Sequence, residues 1–308
     1  MTTPQRQRIL VIKLSSLGDI VLSLGSFRAI RDHHPEARIT LLTTRAYVRL
    51  AEACGCFDEV WVDERPRPWQ ATAWLRLARR LRGAGFTRVY DLQRSQRTGW
   101  YFRLAGRLEW VGTVAGCSHR YEMPREHAVH IVEREAAQLA LGGIARVPPP
   151  DVSFLTADVA RYGIAGPYGL LAPGSSAGRK AMRWPIESYA RLANAFAEKG
   201  MKPVLICGPD ERDEARLIAE ACPAAYDIES DINDIAALAR GARVAVGNDT
   251  GPIHLIAAAG CPTVALFGPR SHPVKSKPPG ESVVVLHHPS LGDLTVAEVM
   301  TVVGEIAR

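Results

Sequence analysis

The 308-residue chain has no run of about 18 apolar residues, so the sequence gives no transmembrane helix. The opening MTTPQRQRILVIKL also lacks the apolar stretch and small-residue cleavage site of a signal peptide, so the expected location is the cytosol. Cysteine is sparse. Six are scattered through the chain, and the C-x-C pair Cys54 and Cys56 has no His/Cys cluster nearby. A zinc site needs more ligands than that, so no metal is expected and the thiols read as reduced and mostly buried. No G-x-G-x-x-G follows any apolar strand, which disfavours a nicotinamide dinucleotide. No Lys/Arg run interleaved with aromatics is evident either, which disfavours nucleic acid as a partner.

The chain is longer than one compact core usually holds, so two domains are expected. Hydrophobic residues make up 47% and charged residues 23%, as in a soluble globular protein. Net charge is +6, with arginine far ahead of lysine. That balance suits anionic partners such as phosphorylated substrates or lipid surfaces, and serves solubility equally well. Short apolar runs read as strands at residues 8–14, 38–44, 59–62, 87–92 and near Val111, alternating with helical periodicity at 20–32, 46–53, 69–81 and 126–141. The 69–81 helix is amphipathic with arginines on its outer face. Residues 142–150 (GGIARVPPP) read as a linker. Strands at 168–172, 202–207, 242–246, 263–267 and 282–286 then alternate with helices at 185–198 (Pro185 as first helical residue), 212–221, 231–240 and 295–307. The expectation is an α/β protein of two Rossmann-like domains with parallel sheets, residues 1–145 and 151–308. The terminal helix belongs to the second domain or packs back on the first.

In such sheets, ligands bind beyond the carboxyl ends of the strands. The Gly/Ser/Asp-rich loops lie there: residues 15–19, 174–183, 208–211 and 247–254, lining one cleft if the two domains face each other. The last loop, GNDTGPIH, joins an apolar strand to a helix. Gly247 and Gly251 suit a sharp turn and close backbone approach, and Asn248, Asp249 and Thr250 stand where N-caps stand. Free N–H groups and the helix dipole favour an anion there, although an ordinary capped turn has the same composition. Ser175, Ser176, Arg179, Lys180 and Arg183 add hydroxyls and cations suited to a diphosphate, and Glu211 suits ribose hydroxyls. The stretch GSSAG also satisfies G-x-S-x-G, and Asp249 and His254 follow in the order of a hydrolase triad centred on Ser176. Against that, Asp249 and His254 share one loop, and the basic segment after the serine leaves no immediate helix. Asp19, just inside the first helix, is kept ionised by the dipole or is simply a helix-start acid.

Three stretches together resemble a known family: ILVIKLSSLGDIVLSLGSFRAIR, PGSSAGRKAMRWPIESYARLA and GNDTGPIHLIAAAGCPTVALFGP. They are similar to the ADP-heptose:lipopolysaccharide heptosyltransferases, glycosyltransferase family 9, over nearly the whole chain. The resemblance implies a GT-B fold, with the acceptor bound by the N-terminal domain and ADP-heptose by the C-terminal one. It implies an inverting, metal-independent transfer without cofactor, in lipopolysaccharide inner-core synthesis. Asp19 is then the general base and Lys13 lies near the forming charge. Ser175, Ser176, Lys180, Arg183, Glu211, Asp249, Thr250, Gly251 and His254 hold the donor. Ser15, Gly18, Arg94 and Arg120 face the acceptor, a lipid-linked or other saccharide, with basic loops at residues 94–100 and 120–125. Family members usually carry Lys two residues before the Trp of the central motif. Met182 stands there, leaving Arg179, Lys180 or Arg183 to replace the cation. Peripheral contact with the inner face of the inner membrane is a further expectation. The open alternatives are another nucleotide-sugar transferase or epimerase, and a degenerate member that binds nucleotide sugar without turnover.

Overall fold

The structure, a computed structural model, describes residues 6–124, 128–174, 183–208 and 211–307. The chain folds as two compact units, Met1–Pro150 and Asp151–Arg308.

The first unit contains strands β1 (Arg8–Ile12), β2 (Arg38–Thr43), β3 (Glu59–Val62), β4 (Arg88–Asp91), β5 (Glu109–Gly112) and β6 (His119–Arg120). Its helices are α1 (Leu17–Leu22), α2 (Leu24–His33), α3 (Val48–Ala53), α4 (Ala71–Gly83), α5 (Gln96–Ala105) and α6 (Ile131–Leu141). The strands form one sheet in the order β3-β2-β1-β4-β5-β6, with parallel pairing throughout. Strand order therefore reverses between β1 and β4, the switch point where doubly wound sheets bind ligands. The central strands are short apolar runs because helices cover both faces. Leu10, Ile12, Val89, Tyr101 and Trp110 form the core of one face.

The second unit repeats the plan with β7 (Tyr168–Ala172), β8 (Lys202–Cys207), β9 (Tyr226–Glu229), β10 (Val244–Asn248), β11 (Thr263–Phe267) and β12 (Val283–His287). Its helices are α7 (Ile186–Glu198), α8 (Arg212–Ala221), α9 (Ile232–Gly241), α10 (Gly251–Ala258), α11 (Pro273–Ser276) and α12 (Val296–Ile306). The parallel sheet runs β12-β11-β10-β7-β8-β9, so its switch point lies between β7 and β10. Terminal helix α12 packs on α7 and β11 of its own unit, burying Val299 and Val303 in that core. Thr295 and Glu298 form its capping box, satisfying two helix-start donors.

Several boundaries differ from the sequence pattern. Residues 20–32 form two helices, not one, because Ser23 interrupts them and its hydroxyl donates to the Asp19 carbonyl at 2.8 Å. Pro185 precedes α7 as its N-cap rather than opening it. Residues 96–100, taken as an acceptor loop, are the start of α5. The linker is not free chain. A Cβ on Gly25 would overlap the Pro148 carbonyl, so residues up to Pro150 lie against α2 and belong to the first unit. On the other side, Arg240 donates to the carbonyls of Val152 and Leu155 at 2.7 and 2.8 Å, fastening the start of the second unit.

Candidate functional site

At the β1/β4 switch point, the chain leaves β1 through residues 13–16 and enters α1. Ser16 is the N-cap and Asp19 lies in the first helical turn, where a carboxylate is favoured by the dipole. Asp19 does not stand alone. The Ser15 hydroxyl donates to its Oδ2 at 2.9 Å, and Gln93 Nε2, just past β4, donates to the Ser15 Oγ at 2.9 Å. The amide's orientation is fixed from the other side, because the Leu14 N–H donates to Gln93 Oε1 at 2.5 Å. With its oxygen so engaged, Gln93 presents its NH2 to Ser15, and the single hydroxyl proton of Ser15 is left for Asp19. One carboxylate oxygen is thus held, and among the described residues no hydrogen bond is shown to the other. Half-buried Tyr47 senses this charge: its phenol is pushed above the usual range first by burial and then by Asp19.

Lys13, expected near the forming charge, is engaged inside the unit. Its Nζ is buried and pairs with Glu135 Oε1 of α6 at 2.7 Å. Glu135 also accepts from Ser23 and Ser26 at 3.0 and 2.9 Å and from Arg134 at 3.3 Å. This network ties α6 to the end of β1 and to Ser23 and Ser26, and Ser23 donates in turn to the Asp19 carbonyl at 2.8 Å. Glu135, 122 positions away, is a partner of Lys13 that no local pattern announces.

Of the acceptor candidates, Ser15 and Gly18 flank Asp19. Arg94 is exposed at the end of β4 with φ of 47°, a left-handed backbone that costs a non-glycine residue about 1–3 kcal/mol and recurs at functional sites. Its Nη1 reaches Met123 Sδ at 3.7 Å, so the segments after β4 and β6 meet. Arg120 lies in β6 and pairs with Glu122 at 3.1 Å.

At the β7/β10 switch point of the second unit, three segments are stapled by one side chain. Buried Asn248 donates through Nδ2 to the carbonyls of Pro173 and Gly174 at 2.7 and 3.2 Å, and its Oδ1 accepts from the Trp184 N–H at 3.1 Å. Asn248 is therefore a brace and not a helix cap. Trp184 is anchored in turn, its indole donating to the Leu294 carbonyl at 2.8 Å. Gly247 lies inside β10, not at a turn. A Cβ there would come within 2.7 Å of the Ala172 Cβ, so glycine allows close packing at the β7/β10 seam.

Thr250 is the N-cap of α10 and Gly251 its first residue, but the Thr250 side chain caps nothing. Among the described residues its buried Oγ1 has no hydrogen-bond partner, and neither has Nδ1 of buried His254, whose Nε2 lies 3.5 Å from Asp249 Oδ1. Two buried, unsatisfied polar atoms beside a helix N-terminus are unusual in a native protein. They fit a ligand that accepts hydrogen bonds, as a diphosphate does.

Glu211 occupies a fitted seat. Its Oε2 accepts from the Gly208 N–H at 2.9 Å, and a Cβ on Gly174 would overlap its carboxylate. The expected cation Arg183 is already engaged: Nη1 lies 2.5 Å from Glu214 Oε1 and Nη2 3.9 Å from Glu211 Oε1. The structure thus makes Arg183 the clamp that orients Glu211, with its charge met by two acids, and not a free replacement for the lysine absent at Met182. Ser175, Ser176, Arg179, Lys180 and Met182 lie outside the described residues.

A family model described as glycosyltransferase family 9 (heptosyltransferase) matches residues 74–295. Lipopolysaccharide heptosyltransferase 1 of Pseudomonas aeruginosa is 27% identical over 285 residues, covering 85% of this chain and 79% of that one. Lipopolysaccharide heptosyltransferase 2 of Escherichia coli is 24% identical over 300 residues, covering 86% and 83%. Among solved structures, the E. coli ADP-heptose lipopolysaccharide heptosyltransferase II superposes with a TM-score of 0.80 at 22% identity, covering 97% of this chain and 98% of that one. An E. coli heptosyltransferase solved with ADP gives 0.75 at 19% identity, covering 98% and 100%. These solved neighbours carry the GT-B fold.

Proposed function

The chain belongs to glycosyltransferase family 9, the heptosyltransferase family, and on that premise we propose that it moves heptose from ADP-heptose to a saccharide acceptor of the lipopolysaccharide inner core. The observation that carries this reading is the pairing of two unlike sites. One holds a carboxylate oriented by a directed hydrogen-bond chain. The other presents unsatisfied buried polar atoms at a helix N-terminus.

In this reading, the acceptor hydroxyl attacks the anomeric carbon of the heptose. The bond from that carbon to the β-phosphate oxygen breaks, and ADP leaves with the bonding pair. Asp19 accepts the hydroxyl proton through the oxygen that Ser15 does not occupy; such a base contributes about 10²–10⁴-fold. Attack opposite the leaving group inverts the anomeric configuration. Thr250, His254 and the N-terminus of α10 meet the diphosphate, and Glu211 accepts from the ribose hydroxyls. Ser175, Ser176 and Lys180 join the donor set by sequence correspondence. Stabilising the departing diphosphate is an electrostatic task that oriented donors and cations perform without a metal.

The reading includes no resident cofactor and no metal, and places the reaction at the cytoplasmic side of a membrane carrying the lipid-linked acceptor. The test is turnover of ADP-heptose with a Kdo-bearing lipid A acceptor, followed by ADP release, before and after dialysis against EDTA. Equal ADP release in both samples, with heptose on the acceptor, is the expected result. Release with a different nucleotide sugar and none with ADP-heptose would replace the donor. Loss of turnover on chelation, restored by a divalent ion, would replace the metal-free mechanism.

A further inference from the structure

The surface of α4 and α5 is unlike the rest of the first unit. Residues 65–107 contain eleven arginines and one acid, Asp91, which is fully buried. The fold brings part of this charge together with exposed apolar side chains. Trp69, in the segment before α4, is 73% exposed, Leu75 on α4 is 56% exposed and Trp100 on α5 is 55% exposed. Trp74 lies between the helices, its ring 6.4 Å from that of Trp100. Arginines lie over these rings: Arg67 over Trp69 at 5.4 Å, Arg97 over Trp74 at 5.9 Å and Arg103 over Trp100 at 5.2 Å. On α4, Arg76, Arg79 and Arg82 are exposed as well. The exposed acid Glu64, just before this stretch, lies 3.8 Å from Arg76 and also faces Arg80 electrostatically.

A folded protein gains nothing by holding large rings in water. Exposed tryptophans within a one-sign field mark a surface that meets something else. Indoles and a leucine spread along the sides of two helices suit a broad apolar boundary. The guanidinium groups above them suit a layer of negative charge at that boundary. No helix among the described residues is long and apolar enough to cross a membrane, so the contact is at the surface. We propose that the α4–α5 face docks the protein on an anionic phospholipid bilayer, with Trp69, Leu75 and Trp100 entering the headgroup boundary and Arg67, Arg79 and Arg103 meeting lipid phosphates. A nucleic acid would call for stacking rings in a groove and gives Leu75 no role. The proposal deepens the reading of a lipid-borne acceptor, yet its test needs neither donor nor acceptor, so the two fail separately.

The experiment is sedimentation of the full chain with vesicles of phosphatidylcholine alone or mixed with phosphatidylglycerol, at low and moderate salt. The expected result is binding to the mixed vesicles only, weakened by salt, with tryptophan emission quenched by brominated lipid. Arg79→Glu and Arg103→Glu each weaken binding by about fivefold or more, since each basic side chain near an anionic surface contributes about that factor. Both sites are exposed, so unchanged thermal melting confirms that the variants fold. Arg216→Glu, which makes the same charge change on the 73%-exposed Arg216 of the second unit, leaves binding intact. Equal binding to pure phosphatidylcholine, equal weakening by Arg216→Glu, or retention of single-stranded RNA with no vesicle binding would each overturn the proposal.

Discussion

The two units share one strand order but treat the polar groups at their switch points in opposite ways. Around Asp19, the hydrogen bonds close within the chain: Leu14 to Gln93, Gln93 to Ser15, Ser15 to Asp19, with Lys13 and Glu135 paired in the same unit. Around α10, buried Thr250 Oγ1 and His254 Nδ1 find no partner among the described residues. A closed network fixes one group in one orientation, which a proton acceptor requires. An open one leaves a free-energy deficit that a bound anion removes. On the proposed reading, the same scaffold supports a preorganised base in one copy and a site awaiting ligand in the other.

The largest expected effect is on turnover. Asp19→Asn keeps the shape and removes the base, lowering kcat by about 10²–10⁴-fold. A steady-state assay showing less than a tenfold loss would end the base assignment. Next is the buried pair in the same unit. Glu135→Ala leaves Lys13 buried without its partner and costs about 3–5 kcal/mol in urea unfolding; a cost near zero would mean that the pair does not hold α6. Thr250→Val sharpens the contrast further. It removes a buried hydroxyl that bonds to no described residue and does not cap its helix, so the ligand-free protein gains up to about 1–3 kcal/mol while ADP affinity falls. Stability lost in that variant would mean that the hydroxyl already has a partner.

Gln93→Glu and Ser15→Ala test the relay. Glutamate takes the Ser15 proton for itself, and alanine has none to give. Each lowers kcat about tenfold with KM for both substrates unchanged, and the double variant loses no more than either single one. Additive losses, or a change in KM alone, would separate Gln93 from Asp19.

The smallest effect is a pH dependence. Burial, and after it the charge of His33, lowers His34 from 6.5 to about 4. The unfolded chain takes this proton first as pH falls. His34 therefore leaves stability intact above 6.5 and reduces it progressively down to about 4. His34 is half-exposed, so the loss is modest, about 1 kcal/mol. His34→Gln should lose less stability over that window in parallel urea titrations; identical losses would place the acid sensitivity elsewhere.

The strands that frame both switch points were legible because β1, β7, β10 and β11 are buried on both faces and read as unbroken apolar runs. Of the four edge strands, β3 and β12 were legible as short apolar runs, but β6 and β9 were not. β6 is two residues long, and in β9 only Ile228 is buried, so neither carries a period. Local motifs located Asp19 and the Thr250–His254 loop because helix-entry chemistry is written in consecutive residues. What those residues do depends on partners that adjacency does not reveal: Glu135 under Lys13, Gln93 behind Ser15, Glu214 on Arg183. The tryptophans and arginines of α4–α5 are likewise dispersed in the chain, and packing of the two helices gathers them. A scan for a continuous basic and aromatic run passes over such a face.

The division of labour between the units is tested most directly by ADP titration calorimetry on two variants. Asp19→Asn should bind ADP as the unaltered protein does, because its carboxylate handles a proton and not the donor. His254→Ala should bind at least about tenfold more weakly, since it removes a buried polar contact to the diphosphate. Weakened ADP binding in Asp19→Asn, with His254→Ala unaffected, would contradict the account.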